Sequence, residues 1–377
     1  MNVLLASLQI AASLLVPVGI LWAEPRSRVV RAVSPVILCY GVGMLFGNQP
    51  WVDFADPVSL NLCTATVALA IPLLLYAVDL RAWLRLARGT VISYVLCMLA
   101  VMVSGAVAHL LWAGDLADSE KLAGMLVGVY TGGTPNMAAI GTGLGVPSET
   151  FILLNAADIF VSFAYLAFIL ALAPRLLTRL VPPTPRLADD ARDGDDPAAA
   201  RTASLPPLRD AAAALALTVV LVALGGSLFL VAPESSRDAL VILAITTLGV
   251  LASFHPRVRA LRGTQDMGQY LLLVFCVAMG FTTDFGKLFG SDSGVFLFTG
   301  VVLGGAVLVH FVLAVLCRID RDTIIITSAA AIFGPHMVGP VAMNLKNRDV
   351  IFSGLASGLV GYAVGNYLGM TLAWLLG

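Results

Sequence analysis

The sequence predicts an all-α integral membrane protein made of two inverted repeats, each with five transmembrane helices plus one re-entrant hairpin or broken helix. Three observations predict it. Hydrophobic residues make up 59% of the 377-residue chain and charged ones 12%, about half the usual soluble share. Twelve apolar runs follow one another, six on each side of a polar linker. Two of those runs carry matching helix-breaking interruptions 200 residues apart, so that Pro135 falls on Pro335, Asn136 on His336 and Met137 on Met337.

The runs of the first half lie near 4–22, 32–47, 58–78, 90–113, 122–145 and 151–173. Those of the second lie near 211–232, 238–254, 268–283, 294–317, 323–345 and 351–376. Uncharged stretches such as Val33 to Trp51 and Thr90 to Ala113 are long enough to cross a hydrocarbon core of roughly 30 Å. The first run lacks the basic n-region and small-residue cleavage site of a signal peptide and reads as a retained span. The third run of each half ends in an aspartate, Asp79 and Asp284. Residues 183–208, rich in Pro, Asp, Arg and Ala, have almost nothing to bury and read as a loose cytoplasmic linker. It separates repeat one (1–182) from repeat two (209–377).

The interrupted runs, 122–145 and 323–345, either cross the membrane or turn back, and basic residues discriminate because cytoplasmic loops carry the Lys and Arg excess. With both turning back, 19 of the 22 Lys and Arg fall inside; with both crossing, the inside count drops to 10. The re-entrant solution puts both termini outside in the inner membrane and makes the second half start from the opposite side. Inverted repeats with broken elements near the midplane describe several secondary transporters. Arg81, Arg85 and Arg88 read as topology anchors on anionic lipid. The five cysteines are scattered singly and read as buried, inert thiols.

The segment Thr131-Gly132-Gly133-Thr134-Pro135-Asn136-Met137-Ala138-Ala139, the aspartate-ended third runs and the Gly334-Pro335 break resemble the bacterial membrane family catalogued as domain of unknown function 819, over essentially the whole chain. The resemblance implies kinship with sodium–glutamate symporters, citrate carriers and cation–proton antiporters. It also implies an elevator-type mechanism, with a transport domain moving against a static scaffold that forms a homodimer. The chain departs from the pattern at Ser328-Ala329-Ala330-Ala331, where relatives place asparagine and small residues, and at His336, an unusual polar residue for the tip.

Gly132 and Gly133 let the backbone approach a ligand closely and take up positive φ. Pro135 withholds a donor and stops the first half-helix. The half-helix from Asn136 points N–H groups and a positive dipole end at the tip, which suits a carboxylate. Carbonyls near Tyr130 and Thr131 suit a cation instead, while Thr131, Thr134 and Asn136 add polar side chains. The plainer alternative is a glycine-rich packing turn. Hairpin two offers Gly334, Pro335, His336, Gly339 and Pro340; His336 can bind an anion, relay a proton or cap a carbonyl.

Asp158 stands some eight residues into an uncharged run, and an ionisable residue inside a span is a functional site by default. Asn155 lies one turn away on the same helix face. The pair predicts a sodium or proton site beside hairpin one; the alternative is a shallow aspartate near the outer interface. The second half has no acid at that place, and Asn366 is the nearest polar residue. His109 and His310 read as packing or interfacial, and Asp79 and Asp284 as interfacial caps beside Arg81 and Lys287.

These features predict an ion-coupled secondary transporter of a small organic anion or amino acid. Thr131, Gly132, Gly133, Thr134, Pro135, Asn136, Gly334, Pro335 and His336 would hold the substrate; Tyr130, Asn155, Asp158 and Asn366 would hold sodium or a proton. The alternative is a cation–proton antiporter without organic cargo. A membrane enzyme would need a compact set of acids, histidines or cysteines, and a sensor a soluble output domain. With no nucleotide loop, zinc spacing or nucleophile elbow, the expectation is no cofactor beyond sodium and no nucleic-acid partner.

Overall fold

The computed structural model describes residues 3–27, 30, 35–49, 54, 56–79, 81, 88–112, 114–182, 207–230, 232–233, 237–282, 294–347 and 349–377, the side chains of residues 3, 4, 37 and 336 excepted. No strand occurs among them. The first half contributes α1 (Val3–Ala23), α2 (Pro35–Gly47), α3 (Asp56–Leu75), α4 (Arg88–Trp112), α5 (Ser119–Gly132), α6 (Thr134–Gly143), α7 (Ser148–Ala171) and the short α8 (Ala173–Thr178). The second contributes α9 (Leu208–Gly226), α10 (Arg237–Ser253), α11 (Pro256–Arg259), α12 (Thr264–Phe281), α13 (Gly294–Leu316), α14 (Arg321–Phe333), α15 (Val338–Asn344) and α16 (Val350–Leu376).

Seven of the described helices are long and apolar enough to cross a membrane: α1, α3, α4, α7, α9 with its 3-10 extension, α13 and α16. This is a multi-pass membrane protein. The ten full spans expected from the apolar runs are not all of that kind. α2 and α10 are described over 13 and 17 residues, and the 18-residue α12 opens on the polar Thr264-Gln265-Asp266. Residues 183–206 and Asp284, Lys287 and Arg85 lie outside the described residues, and so do the readings placed on them.

Both interrupted runs break at a glycine with nearly the same backbone. Gly133 has φ 99° and ψ −176°, and Gly334 φ 80° and ψ −176°, a region open almost only to glycine. A proline follows within two residues, where its missing N–H and fixed φ suit the first turn of the next helix. In hairpin one, α6 doubles back along α5: Gly128 abuts Asn136 and Ile140, and Gly141 abuts Met125. In hairpin two the chain leaves α14, turns through a 3-10 segment (Pro335–Met337) and returns as α15. The two ends of that hairpin are tied by Asn347 Nδ2 donating to Asp322 Oδ2 at 2.9 Å.

α7 joins the bases of the two hairpins. It starts just after hairpin one, and near its far end Leu170 O accepts from Asn344 Nδ2 at 2.9 Å while Pro182 O accepts from Arg321 N–H at 3.0 Å. Its 24 residues separate the bases by roughly 36 Å at 1.5 Å per residue. The hairpins therefore enter from opposite ends, and their tips meet: a Cβ at Gly133 would lie 3.9 Å from Phe333 O.

α16 runs along both hairpins on a stripe of glycines spaced three or four apart. Gly354 faces Ile326 and Val338 of hairpin two, Gly358 abuts Pro335, Gly361 abuts Thr131 and Gly132, Gly365 abuts Asn136, and Gly369 abuts Gly124 and Ile140. Small residues at this spacing let helix backbones approach closely where lipid supplies no hydrophobic drive. A Cβ at Gly358 would sit 2.9 Å from the Pro335 nitrogen.

The helices sort into two bundles that mix the sequence halves. α1, α2, α3, α9, α10 and α12 pack mainly on one another, and α4, α5, α7, α13, α14 and α16 form the second group. α6 lies between them, against α5 and α16 on one side and α3 and α10 on the other.

Candidate functional site

A cavity of about 740 Å³ opens where the hairpin tips, α7 and α2 meet. Gly133 and Thr134 line it from hairpin one, Ile332, Phe333 and Met337 from hairpin two, and Tyr40 and Met44 from α2. α7 gives the largest share, including Asn155, Asp158, Ser162, Phe163 and Leu166. It thus lies at the seam between the two bundles, within the size range of small-molecule sites.

Asp158 is 6% exposed and stands in the middle of α7. Its Oδ1 accepts from Ser162 Oγ at 2.9 Å. The Tyr130 hydroxyl lies beside the same carboxyl and Ser162, a donor facing an acceptor. Asn155 is buried and its side-chain oxygen is unpartnered among the described residues. A buried polar atom without a partner is costly, so the Asn155 oxygen presents acceptor capacity that the described residues leave unused. Asn155, Asp158, Ser162 and Tyr165 fall at i, i+3, i+7 and i+10, which places them on one face of α7. Tyr165 closes that face: its hydroxyl meets Ser328 Oγ at 2.6 Å and its ring stacks on Phe333 at 5.7 Å.

The structure divides the expected substrate residues. Gly133 and Thr134 reach the cavity. Thr131, Gly132 and Asn136 turn the other way, toward α16. Asn136 Nδ2 donates to Gly361 O at 2.9 Å, Thr131 Oγ1 bonds Val127 O, and Thr131 O accepts from Tyr94 Oη at 2.6 Å. Hairpin one offers few free donors at its tip. The Gly133 N–H is taken by Val129 O at 2.7 Å, the Asn136 N–H by Gly133 O at 3.1 Å, and Pro135 has none. In hairpin two, Gly334 is buried and Pro335 packs on Gly358, while the His336 side chain lies outside the described set. Asn366 is not beside Asp158; its Nδ2 donates to Thr246 Oγ1 of α10 at 3.1 Å, across the bundle seam. Tyr367 and Thr247 make a second such link at 2.7 Å.

Ser162, Tyr165 and the glycine stripe escaped the sequence reading. Their signals are present: hydroxyls on the same helical face as Asp158, and five glycines at three- and four-residue spacing in one run.

Elsewhere, His310 is fully buried, as packing residues are, yet it joins a polar chain in which its Nε2 meets Ser93 Oγ at 3.1 Å and Ser93 meets Thr327 Oγ1 at 2.7 Å. His109 Nδ1 pairs with Ser119 Oγ at 2.9 Å. Asp79 forms an ion pair with Arg259 from the other half of the chain. Four cysteines are buried as expected, whereas Cys317 is exposed.

The chain is 25% identical over 360 residues to the uncharacterized membrane protein YjcL of Bacillus subtilis (strain 168), covering 92% of this chain and 90% of that protein. A family model described as protein of unknown function (DUF819) matches residues 12–377, and the chain belongs to that family.

Proposed function

We propose that this protein is an ion-coupled secondary transporter working by elevator-like alternating access, with the cavity between the hairpin tips and α7 as its cargo site. One observation carries the reading: two hairpins entering from opposite ends place their tips beside a buried carboxylate, at a cavity on the seam of two helix bundles. Irregular backbone at membrane depth survives where it is buried in protein or lines a cavity, and broken elements meeting in the interior mark binding sites in transporters. The cargo is an amino acid or other small organic ion; sodium or a proton binds near Asp158, Asn155 and Tyr130. The bundle containing α2, α3 and α12 serves as scaffold and homodimer surface in the inner membrane, with both termini outside. Pure cation–proton exchange is the second reading; one acid among the described residues of the cavity wall, in place of a close pair, argues against it.

Thermal unfolding of the purified protein against sodium, pH and a panel of carboxylates and amino acids tests this, because ligands of the folded state raise its apparent stability. Stabilisation by an organic solute that depends on sodium or pH supports coupled transport. A response to sodium or pH alone, lost in Asp158→Asn, selects cation–proton exchange. Absence of any response sinks both.

A further inference from the structure

The chemistry of the cavity wall narrows the cargo, granted the transporter reading on which this step rests. Among the described residues Asp158 is the one formal charge on that wall; no Lys, Arg or His joins it there. The rest is largely apolar and aromatic, with Tyr40, Met44, Phe160, Phe163, Leu166 and Phe333. Among the described residues, an anion entering this space would face a carboxylate with no cation to offset it, and the hairpin-one tip has few N–H groups to give. Pro135 has none, and those of Gly133 and Asn136 are taken.

A positive group meets the opposite situation. A buried carboxylate demands a partner charge or a proton, and Ser162 satisfies one of its oxygens. The Asn155 oxygen adds a buried acceptor without a partner among the described residues. An ammonium brings three donors and no acceptor, which matches this set. Aromatic faces beside it accommodate both a cation and an apolar body.

We propose that the cargo is an amphipathic organic amine whose ammonium sits on Asp158 while its apolar body lies along the aromatic wall, and that amine and proton exclude each other at this carboxylate. One carboxylate neutralised by one positive charge at a time makes the cycle an exchange. The site moves loaded with amine in one direction and with a proton in the other, and no covalent bond changes. The titratable groups facing Asp158 are few. α5 presents Tyr130 and α2 presents Tyr40 across the cavity. On α13, His310 is bonded to Ser93; on α14, Ser328 faces Tyr165; and on α12, Phe275 faces Phe151.

Three phenyl solutes that differ in charge test this: phenethylamine, phenylalanine and phenylacetate, each added to the full-length protein in detergent. Binding is read from the unfolding midpoint and from proton release in weakly buffered solution. The expected result is that phenethylamine stabilises most, releases protons on binding and binds more weakly as pH falls. In Asp158→Asn its affinity drops on the order of tenfold or more and the pH dependence disappears, whereas Asp158→Glu keeps the preference for the amine. Tighter binding of phenylacetate or phenylalanine overturns the proposal, as does amine binding unchanged in Asp158→Asn. Proteoliposomes separate this from the transporter reading. Asp158-dependent amine binding without exchange across the bilayer removes transport and leaves the site; sodium-driven phenylacetate uptake keeps transport and removes the amine.

Discussion

α7 and α16 are the helices that follow the two hairpins, and they treat those hairpins in opposite ways. α16 presents glycine at Gly354, Gly358, Gly361, Gly365 and Gly369, and the hairpin backbones settle directly on it. α7 presents Asn155, Asp158, Ser162 and Tyr165, and between it and the hairpin tips stands a cavity of about 740 Å³. Side-chain size sets the difference: a helix without Cβ atoms on one face closes on its neighbour, and one with polar and aromatic side chains holds its neighbour off. The same supersecondary unit therefore yields a seam on one side and a site on the other. α7 presents an acid to the cavity, and α16 carries none.

The largest expected effect breaks the seam. In Gly361→Val a Cβ would meet Thr131 O, Gly132 and the Tyr94 hydroxyl, none of which can step aside without moving hairpin one. Overpacking at such a backbone contact costs about 3 kcal/mol or more, so the folded, monodisperse fraction after gel filtration should collapse. A Gly361→Val protein with wild-type yield and unfolding midpoint would show that α16 does not seat hairpin one.

Next comes the site. Asp158→Asn keeps the shape of the side chain and removes its charge, so ion-coupled flux in proteoliposomes should fall on the order of 100-fold, with little loss of folded protein. Ser162→Ala deletes the 2.9 Å hydrogen bond to that carboxylate. A bond to a charged group is worth about 1.5–3 kcal/mol, and apparent cargo affinity should weaken roughly tenfold. If Ser162→Ala alters stability while leaving affinity and its pH profile unchanged, Ser162 only packs.

The bundle seam outside the cavity comes last. Thr246→Val removes the acceptor of Asn366 Nδ2 and should cost about 1 kcal/mol, read as a midpoint lowered by a few degrees. A matching change in transport rate would assign the Asn366–Thr246 contact to the movement between the bundles. An unchanged rate confines it to packing.

Much of this was legible in the sequence because it is local. The breaks at Gly133 and Gly334 follow from glycine and proline backbone chemistry, and the two structures match to the same ψ. Asp158 stood out because an acid in an uncharged run is expensive wherever the run goes. The roles within hairpin one were not legible. Asn136 and Thr131 lie within a few residues of Gly133 in the chain, yet they face α16 and Gly133 faces the cavity. A 3.6-residue period separates neighbours onto different faces, and which face meets the cavity depends on what packs behind. Here that is Gly361, 225 residues away from Asn136. Asn366 lies apart from Asp158 for the same reason, since the nearest polar residue in sequence faces α10 and not the acid.

By itself, then, the sequence determined the helices, the two breaks, the membrane setting and the acid at Asp158, all of which follow from hydropathy and backbone preference over a few turns. Tertiary structure decided which residues share the cavity, how the halves mingle into two bundles, and which flank of each hairpin is closed. Those outcomes depend on packing between segments hundreds of residues apart, where a missing Cβ on one helix settles the direction in which another helix turns its side chains.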